Sequence, residues 1–496
     1  MANELLIQYF HWYYNDKDTL WSKVAQQAEE LAALGISGAW LPPAYKGIEG
    51  KDSVGYDCYD LFDIGEFDQK ETVPTKYGSK DEYIAAINAL KEQGVITVAD
   101  IVFNHKAGGD EVEVVKVRKV DPENRQEYIS DVMEIETWTK FTFPGRAGKY
   151  SEFIWDHTCF SGVDAAQNVS EDAIFSIQNE YAEAWEEVPS DEFGNYDYLM
   201  FNDIEFRNQA VREELKRWGE WYYTTCGMDG FRLDAVKHIS HEFLNEWLDH
   251  MKATFERDFF IVAENWVVDN VERLSHYIEQ TGGRMQLFDP ILHHNFYLAS
   301  LKSEAYDLSS IFEGTLLQSN PELTVTFVDN HDSQPLQALQ SYVEFWFRPL
   351  AYSLILLREQ GIPCLFYPDL YGATYSDLDD EGNEASVELI ALAELPGLCR
   401  MRKDLAYGMQ RDYFDHANCI GWTREGIDEF ANSGLAVIMS NGQEGVKVME
   451  LGERNAGKTF VDALGNCGHE VTTDEKGAAE FCCNARSVSV WILKQD

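Results

Sequence analysis

Four short stretches of the chain place acidic and basic side chains where they could do chemistry. Residues 229–238 read Asp-Gly-Phe-Arg-Leu-Asp-Ala-Val-Lys-His, with apolar Phe231, Leu233 and Val236 set among Arg232, Asp234 and Lys237. A buried strand that delivers a carboxylate and an arginine to an open end has this pattern, and so does a structural Arg/Asp pair at a strand terminus. Asp100 with Asn104 and His105, Glu264, and His331 with Asp332 each sit at the end of an apolar run of their own. Singly, such residues have a plain explanation, because Asp and Asn cap the helices that follow strands. Together, the three acids Asp234, Glu264 and Asp332 beside two histidines and an arginine point to carboxylate chemistry on a neutral substrate. Hydrolysis of a glycosidic bond with retention uses one carboxylate as nucleophile and a second as acid and then base, about 5 to 5.5 Å apart. A mononuclear metal hydrolase uses the same residue types, so the acids alone leave both chemistries open.

For these residues to meet, the elements between them must bring several strand ends to one face. Apolar runs at 5–10, 38–41, 95–103, within 229–238, and at 259–264, 285–289, 323–329 and 363–367 predict eight strands. Helical spacing predicts helices between them: 20–34 ending at Gly35, one capped by Ser79 and Glu82, 211–223 and 349–360. Near-continuous apolar strands separated by amphipathic helices signal a parallel sheet covered on both faces, here an α/β fold of the (β/α)8 TIM barrel type. Residues 105–207 interrupt the alternation, far exceeding the usual connection of about two to six residues, which predicts an inserted domain after the third strand. From 403 onward, short alternating segments at 419–422, 435–440, 446–451 and 487–493 predict a C-terminal all-β sandwich. The chain thus divides into a barrel (1–104 and 208–402), an inserted unit (105–207) and a C-terminal unit (403–496).

Composition narrows the partners. The 496 residues carry 86 Asp and Glu against 40 Lys and Arg, a formal charge of −46, which argues against nucleic acid or an anionic membrane surface. Nine cysteines form an odd set without paired metal-ligand spacing, as expected of reduced thiols. The N-terminal residues show no basic region or cleavage pattern, and no segment reaches about 18 uninterrupted apolar residues. The expectation is a monomeric cytoplasmic protein.

The motifs become specific when set side by side. Asp100-Ile-Val-Phe-Asn104-His105, Gly230-Phe-Arg232-Leu-Asp234-Ala-Val-Lys237-His238, Val262-Ala-Glu264-Asn and Phe327-Val-Asp-Asn-His331-Asp332 resemble, in order, the four signature regions of the α-amylase family, glycoside hydrolase family 13. Residues 198–204 resemble its fifth region, and the whole is similar to the cytoplasmic branch of the bacterial liquefying enzymes. The resemblance implies an endo-acting hydrolase of α-1,4-glucosidic bonds, with starch, glycogen or maltodextrins as substrate. A transglycosylating or oligosaccharide-forming relative would share the same residues, and a non-catalytic carbohydrate-binding relative would not need them. It implies that Asp234 is the nucleophile, Glu264 the general acid/base, and Asp332 the acid that distorts and stabilises the bound sugar. Arg232 would keep Asp234 ionised, and His105 and His331 would bind sugar hydroxyls. Tyr56 would stack beneath the cleaved sugar with Trp12 as its neighbour, and Lys237 and His238 would line the leaving-group side.

The same resemblance implies one structural Ca2+, bound by oxygen as hard cations prefer. Its ligands would be Asn104, Asp197, Asp203 and the carbonyl of His238. Glu186 and Glu205 stand where the liquefying enzymes have Asp, so their extended metal cluster is not carried across.

Overall fold

The structure is a computed structural model that describes residues 3–181 and 185–495. Eight parallel strands close into a barrel: β1 Leu6–Gln8, β2 Gly38–Leu41, β3 Ile96–Ile101, β4 Gly230–Leu233, β5 Phe260–Ala263, β6 Gln286–Phe288, β7 Thr324–Phe327 and β8 Ile362–Phe366. Each pairs with its successor, and β8 returns to β1. Every residue of β1, β2, β4 and β7 is buried, so these strands send mostly apolar side chains to both faces, interrupted by Gln8, Arg232, Thr324 and Thr326. The register sets Arg232 between Asp100 on β3 and Val262 on β5. Gly230 makes that neighbourhood possible, since a β-carbon there would lie 2.3 Å from the Phe260 carbonyl oxygen.

The helices bury one stripe each against the barrel. Helix α1 (Leu20–Leu34) begins on Thr19, ends on Gly35 at φ 90°, and buries Leu20, Trp21, Val24, Ala28, Leu31 and Leu34. Helix α2 (Lys80–Glu92) opens with the expected capping box of Ser79 and Glu82. Helix α3 (Gln209–Cys226) runs longer than 211–223, from its Asn208 cap to Gly227. Helices α4 (His241–Phe255), α5 (Val271–Gln280) and α6 (Pro290–Lys302) follow, then α7 (Arg348–Leu356). The last is shorter than the expected 349–360. The Leu357 carbonyl accepts from Trp422 Nε1 at 3.3 Å, and Arg358 forks onto Asp412 at 2.7 and 2.9 Å. These contacts with the C-terminal strands take over where further helical turns would have run.

Between β3 and β4, residues 105–204 build a six-stranded sheet around the long hairpin Glu111–Val120 and Met133–Lys140. It contains no α-helix among its described residues. An exposed hairpin, Ala373–Leu378 with Glu384–Leu389, follows β8 and was not expected from the sequence. The C-terminal strands form a six-stranded antiparallel sheet and a two-stranded one, Gly445–Glu450 with Ala478–Cys483. Strand Leu435–Ser440 is buried throughout: Leu435, Val437 and Met439 join the barrel's core, whereas Ala436 and Ile438 join a second core with Met449, Phe460, Phe481 and Trp491.

Candidate active site

The polar residues at the ends of β3, β4, β5 and β7 meet around the guanidinium of Arg232, which is 1% exposed. Its Nη1 donates to Asp234 Oδ1 at 2.6 Å and to Asp100 Oδ1 at 3.0 Å, while Nη2 donates to Glu264 Oε2. One cation therefore holds three carboxylates, and its planar fork is the shape that permits this. Burial lifts the Asp234 carboxyl to about 6, against the pull of Arg232 in the other direction. Glu264 is also raised by burial, opposed by Arg232 and then raised further by the charge of Asp234. Asp332 is pushed well above the usual carboxylate range by burial and by Glu264. Asn330 fixes its backbone, accepting from the Asp332 N–H at 2.9 Å.

The two histidines are buried and neutral. Burial lowers His105 to about 4 and takes His331 well below its ordinary value. The side-chain N–H of Gln8 lies 3.0 Å from His331 Nδ1; an amide N–H only donates, so Nδ1 accepts and the ring proton sits on Nε2. That Nε2 faces Asp332 Oδ2 at 3.4 Å. His105 is engaged on both sides, with Nε2 on the Tyr56 carbonyl at 2.7 Å and Nδ1 3.3 Å from the Asn104 amide nitrogen. It thus holds Tyr56 in place, and gripping a sugar hydroxyl would mean exchanging one of these bonds. Tyr56 donates to Asp100 Oδ2 at 2.8 Å, and Trp40 Nε1 donates to the same oxygen at 2.8 Å. The Tyr56 ring stacks parallel to His331 at 5.0 Å and to Trp12 at 5.8 Å. Trp12 and Tyr56 help to line a 760 Å³ cleft together with Tyr13, Lys76, Phe201 and Tyr375.

Lys237 and His238 contact the segment that carries Glu192 and Tyr196. Lys237 Nζ contacts the Glu192 carboxylate at 3.1 Å and the Trp266 carbonyl at 3.2 Å. His238 Nδ1 bonds the Tyr196 carbonyl at 2.7 Å, and burial lowers the ring to about 3. Sequence reasoning did not single out Gln8 or Trp40 and assigned no role to Asp100, each of which orients a site residue. Gln8 and Asp100 do stand out in sequence, as polar side chains inside apolar strands.

Beside this site lies an oxygen-rich cluster. Asp197 and Asp203 are 2% and 1% exposed, and burial raises both far above the usual range. Asp197 accepts from the Glu186 N–H at 3.0 Å, and Asp203 from Ser161 and, at 3.4 Å, from the Asn104 amide. Glu186 is pushed up to about 7 by burial and by Glu205, which itself pairs with Arg207 at 2.6 Å. The buried Asn104 Oδ1 has no hydrogen-bond partner. Among the described residues no three His, Cys, Asp or Glu side chains are arranged to hold a metal between them. An ion here would draw on the amide oxygen of Asn104 and on backbone carbonyls as well as acids. Clustered buried carboxylates next to an unpartnered amide oxygen fit a hard cation.

The family model for the α-amylase catalytic domain matches residues 15–423, and that for the α-amylase C-terminal domain matches residues 435–492. The chain is 49% identical over 496 residues to the cytoplasmic α-amylase of Escherichia coli (strain K12), covering 100% of both chains. It is 45% identical over 493 residues to an α-amylase of Geobacillus stearothermophilus, covering 99% of this chain and 87% of that one. In fold it is similar to the crystal structure of α-amylase I from Eisenia fetida, with a TM-score of 0.67 and 14% identity over 99% of this chain and 97% of the other. With a catalytic-domain match over most of its length and relatives of this identity from end to end, the chain belongs to the α-amylase family of glycoside hydrolases, family 13.

Proposed function

We propose that the chain is an endo-acting α-amylase that hydrolyses internal α-1,4-glucosidic bonds of starch, glycogen or maltodextrins with retention, by double displacement. The observation that carries this reading is the single Arg232 guanidinium holding both Asp234 and Glu264. Arg232 holds Asp234 through Oδ1, and the other oxygen of Asp234 would attack the anomeric carbon. As that C–O bond forms, the glycosidic C–O bond breaks and Glu264 gives its proton to the departing oxygen. Burial and the charge of Asp234 both favour the proton on Glu264 at this stage. Water then attacks the glucosyl ester, Glu264 takes its proton, and Asp234 leaves as the carboxylate, so configuration is restored.

The other residues act on binding. Asp332 and the Nε2–H of His331 face the sugar in the cleaved position, Tyr56 and Trp12 offer it a stacked apolar surface, and His105 positions Tyr56. Lys237 and His238 border the leaving-group side.

Asn104, Asp203, Asp197 and the His238 carbonyl would hold a calcium ion, which when bound supplies positive charge among buried acids and ties residues 105–207 to the barrel. The division at 104, 207 and 402 belongs to the same reading and is supported by the separate sheets. A place in the cytoplasm is supported by the name of the Escherichia coli relative; a monomer acting on glycogen and imported maltodextrins belongs to the same reading. No helix among the described residues is long and apolar enough to cross a membrane.

The test is a time course on an end-blocked maltooligosaccharide followed by NMR. The first product carries the α-anomer if the reading is right; immediate inversion sinks the double displacement. Asp234→Asn and Glu264→Gln are expected to lose nearly all activity on soluble starch.

A further inference from the structure

Four of the nine cysteines gather in the C-terminal strands, where the proposed reaction uses none of them. Cys482 and Cys483 are neighbours on strand Ala478–Cys483 of the two-stranded sheet. The Cys482 sulfur lies 2.8 Å from that of Cys467, which sits in the connection between two strands of the six-stranded sheet. The Cys483 thiol hydrogen-bonds with that of Cys419, also on the six-stranded sheet. Both pairs therefore span the two sheets. Gly445 pairs with Cys483 across the ladder, and a β-carbon there would lie 2.4 Å from Cys419 Sγ and 3.2 Å from Cys483 Sγ. Its missing side chain is the space that the inner pair fills.

The pairs differ in access. Cys419 and Cys483 are 8% and 2% exposed, whereas Cys482 is half-buried and His469, whose Nε2 is 3.8 Å from the Cys482 sulfur, is exposed. We propose that Cys467 and Cys482 form a thiol–disulfide exchange site for a low-molecular-weight disulfide of the glutathione type, whose product is an internal bridge between the two sheets. Cys482 passes its proton to His469, and the thiolate attacks one sulfur of the small disulfide. That S–S bond breaks, one small thiolate leaves, and a mixed disulfide forms on Cys482. Cys467 loses its proton and attacks the Cys482 sulfur, expelling the second small thiolate. Two protein thiols are oxidised, one small disulfide is reduced to two thiols, and the two released protons end on the leaving groups. Sulfurs at 2.8 Å need less than about 1 Å of approach to reach the bonded distance. Burial pushes the Cys482 thiol up to about 12, helped by Cys467, Asp462 and Glu444, so the first step quickens as the pH rises above neutrality.

The exchange site is independent of the barrel chemistry. It is tested on the folded full-length protein with oxidised glutathione, followed by alkylation and non-reducing peptide mapping. The expected result is a bridged Cys467–Cys482 peptide and the loss of two thiols per chain, with Cys419 and Cys483 still alkylated. Cys467→Ser should instead trap a stable glutathione adduct on Cys482, and Cys482→Ser should give no bridge. Intact thiols, a wild-type protein carrying only glutathione adducts, or a bridge to any other cysteine would overturn the proposal.

Discussion

Replacing Asp234 by Asn should stabilise the folded protein at neutral pH while abolishing its activity. In the folded chain Asp234 titrates at about 6 against an ordinary value of 3.8, and it is 8% exposed. Because the folded value lies above the unfolded one, the native state holds its proton more tightly, and ionisation costs stability as the pH climbs from 3.8 through 6. At about 1.36 kcal/mol per pH unit, a rise of about 2 units amounts to about 3 kcal/mol at pH 8. Asparagine has the shape of the protonated acid and never ionises, so it escapes this cost. Guanidinium unfolding of both proteins at pH 8 and pH 4 is the assay. The variant should be more stable by up to about 3 kcal/mol at pH 8, and the gap should shrink to under about 1 kcal/mol at pH 4, where the folded acid is protonated in the wild type too. A variant no more stable at pH 8, or a gap that does not change with pH, would refute the idea that the fold holds Asp234 against its preference. The site would then be relaxed rather than poised.

Arg232→Lys keeps the charge but loses the fork onto Asp234 and Glu264, a loss of about 2 kcal/mol or roughly thirty-fold in kcat. Its acid limb in a pH profile of kcat/KM should move upward, since the guanidinium is what pulls Asp234 down. Removing calcium with a chelator should lower the thermal midpoint, by about 4 kcal/mol of stability for an ion held at a thousand times its dissociation constant. Activity should fall only as the protein unfolds, so instant loss of turnover in a folded sample would contradict a structural ion. Tyr375 stacks on Tyr13 at 4.1 Å in the wall of the cleft. Tyr375→Ala should cost about 1 kcal/mol, roughly five-fold, in kcat/KM on long maltooligosaccharides and little on the shortest cleaved one, measured by chromatography of the products.

The barrel was legible because strands buried on both faces are written mostly in apolar residues, and helices between them carry a 3.6-residue stripe. The strand Met133–Lys140 escaped detection for the opposite reason. Its inward positions are Ile135, Thr137 and Thr139, buried but mostly hydroxylated, and its outward neighbours are Glu134, Glu136 and Trp138, so the two faces hardly differ in polarity. The end of α7 is written in Asp412 and Trp422, more than fifty residues away, and no local pattern could place it. Asp234 and Glu264 could be named from their motifs. That one guanidinium grips both, and that Gln8 sets the tautomer of His331, are facts of the closed barrel, in which β1 and β8 become neighbours.

The double-sided strand Leu435–Ser440 has a consequence for how the molecule comes apart. Leu435, Val437 and Met439 belong to the barrel's core and Ala436 and Ile438 to the small second core, so neither core can lose the strand and remain dry. Val488 and Val490 on the last long strand also pack into the barrel's core. The C-terminal strands are thus a wall of the catalytic unit and not an appendage to it. Melting them would expose the barrel's core to water, so the two regions are expected to lose structure together. A chain cut near residue 402 would have to rebuild that wall or aggregate.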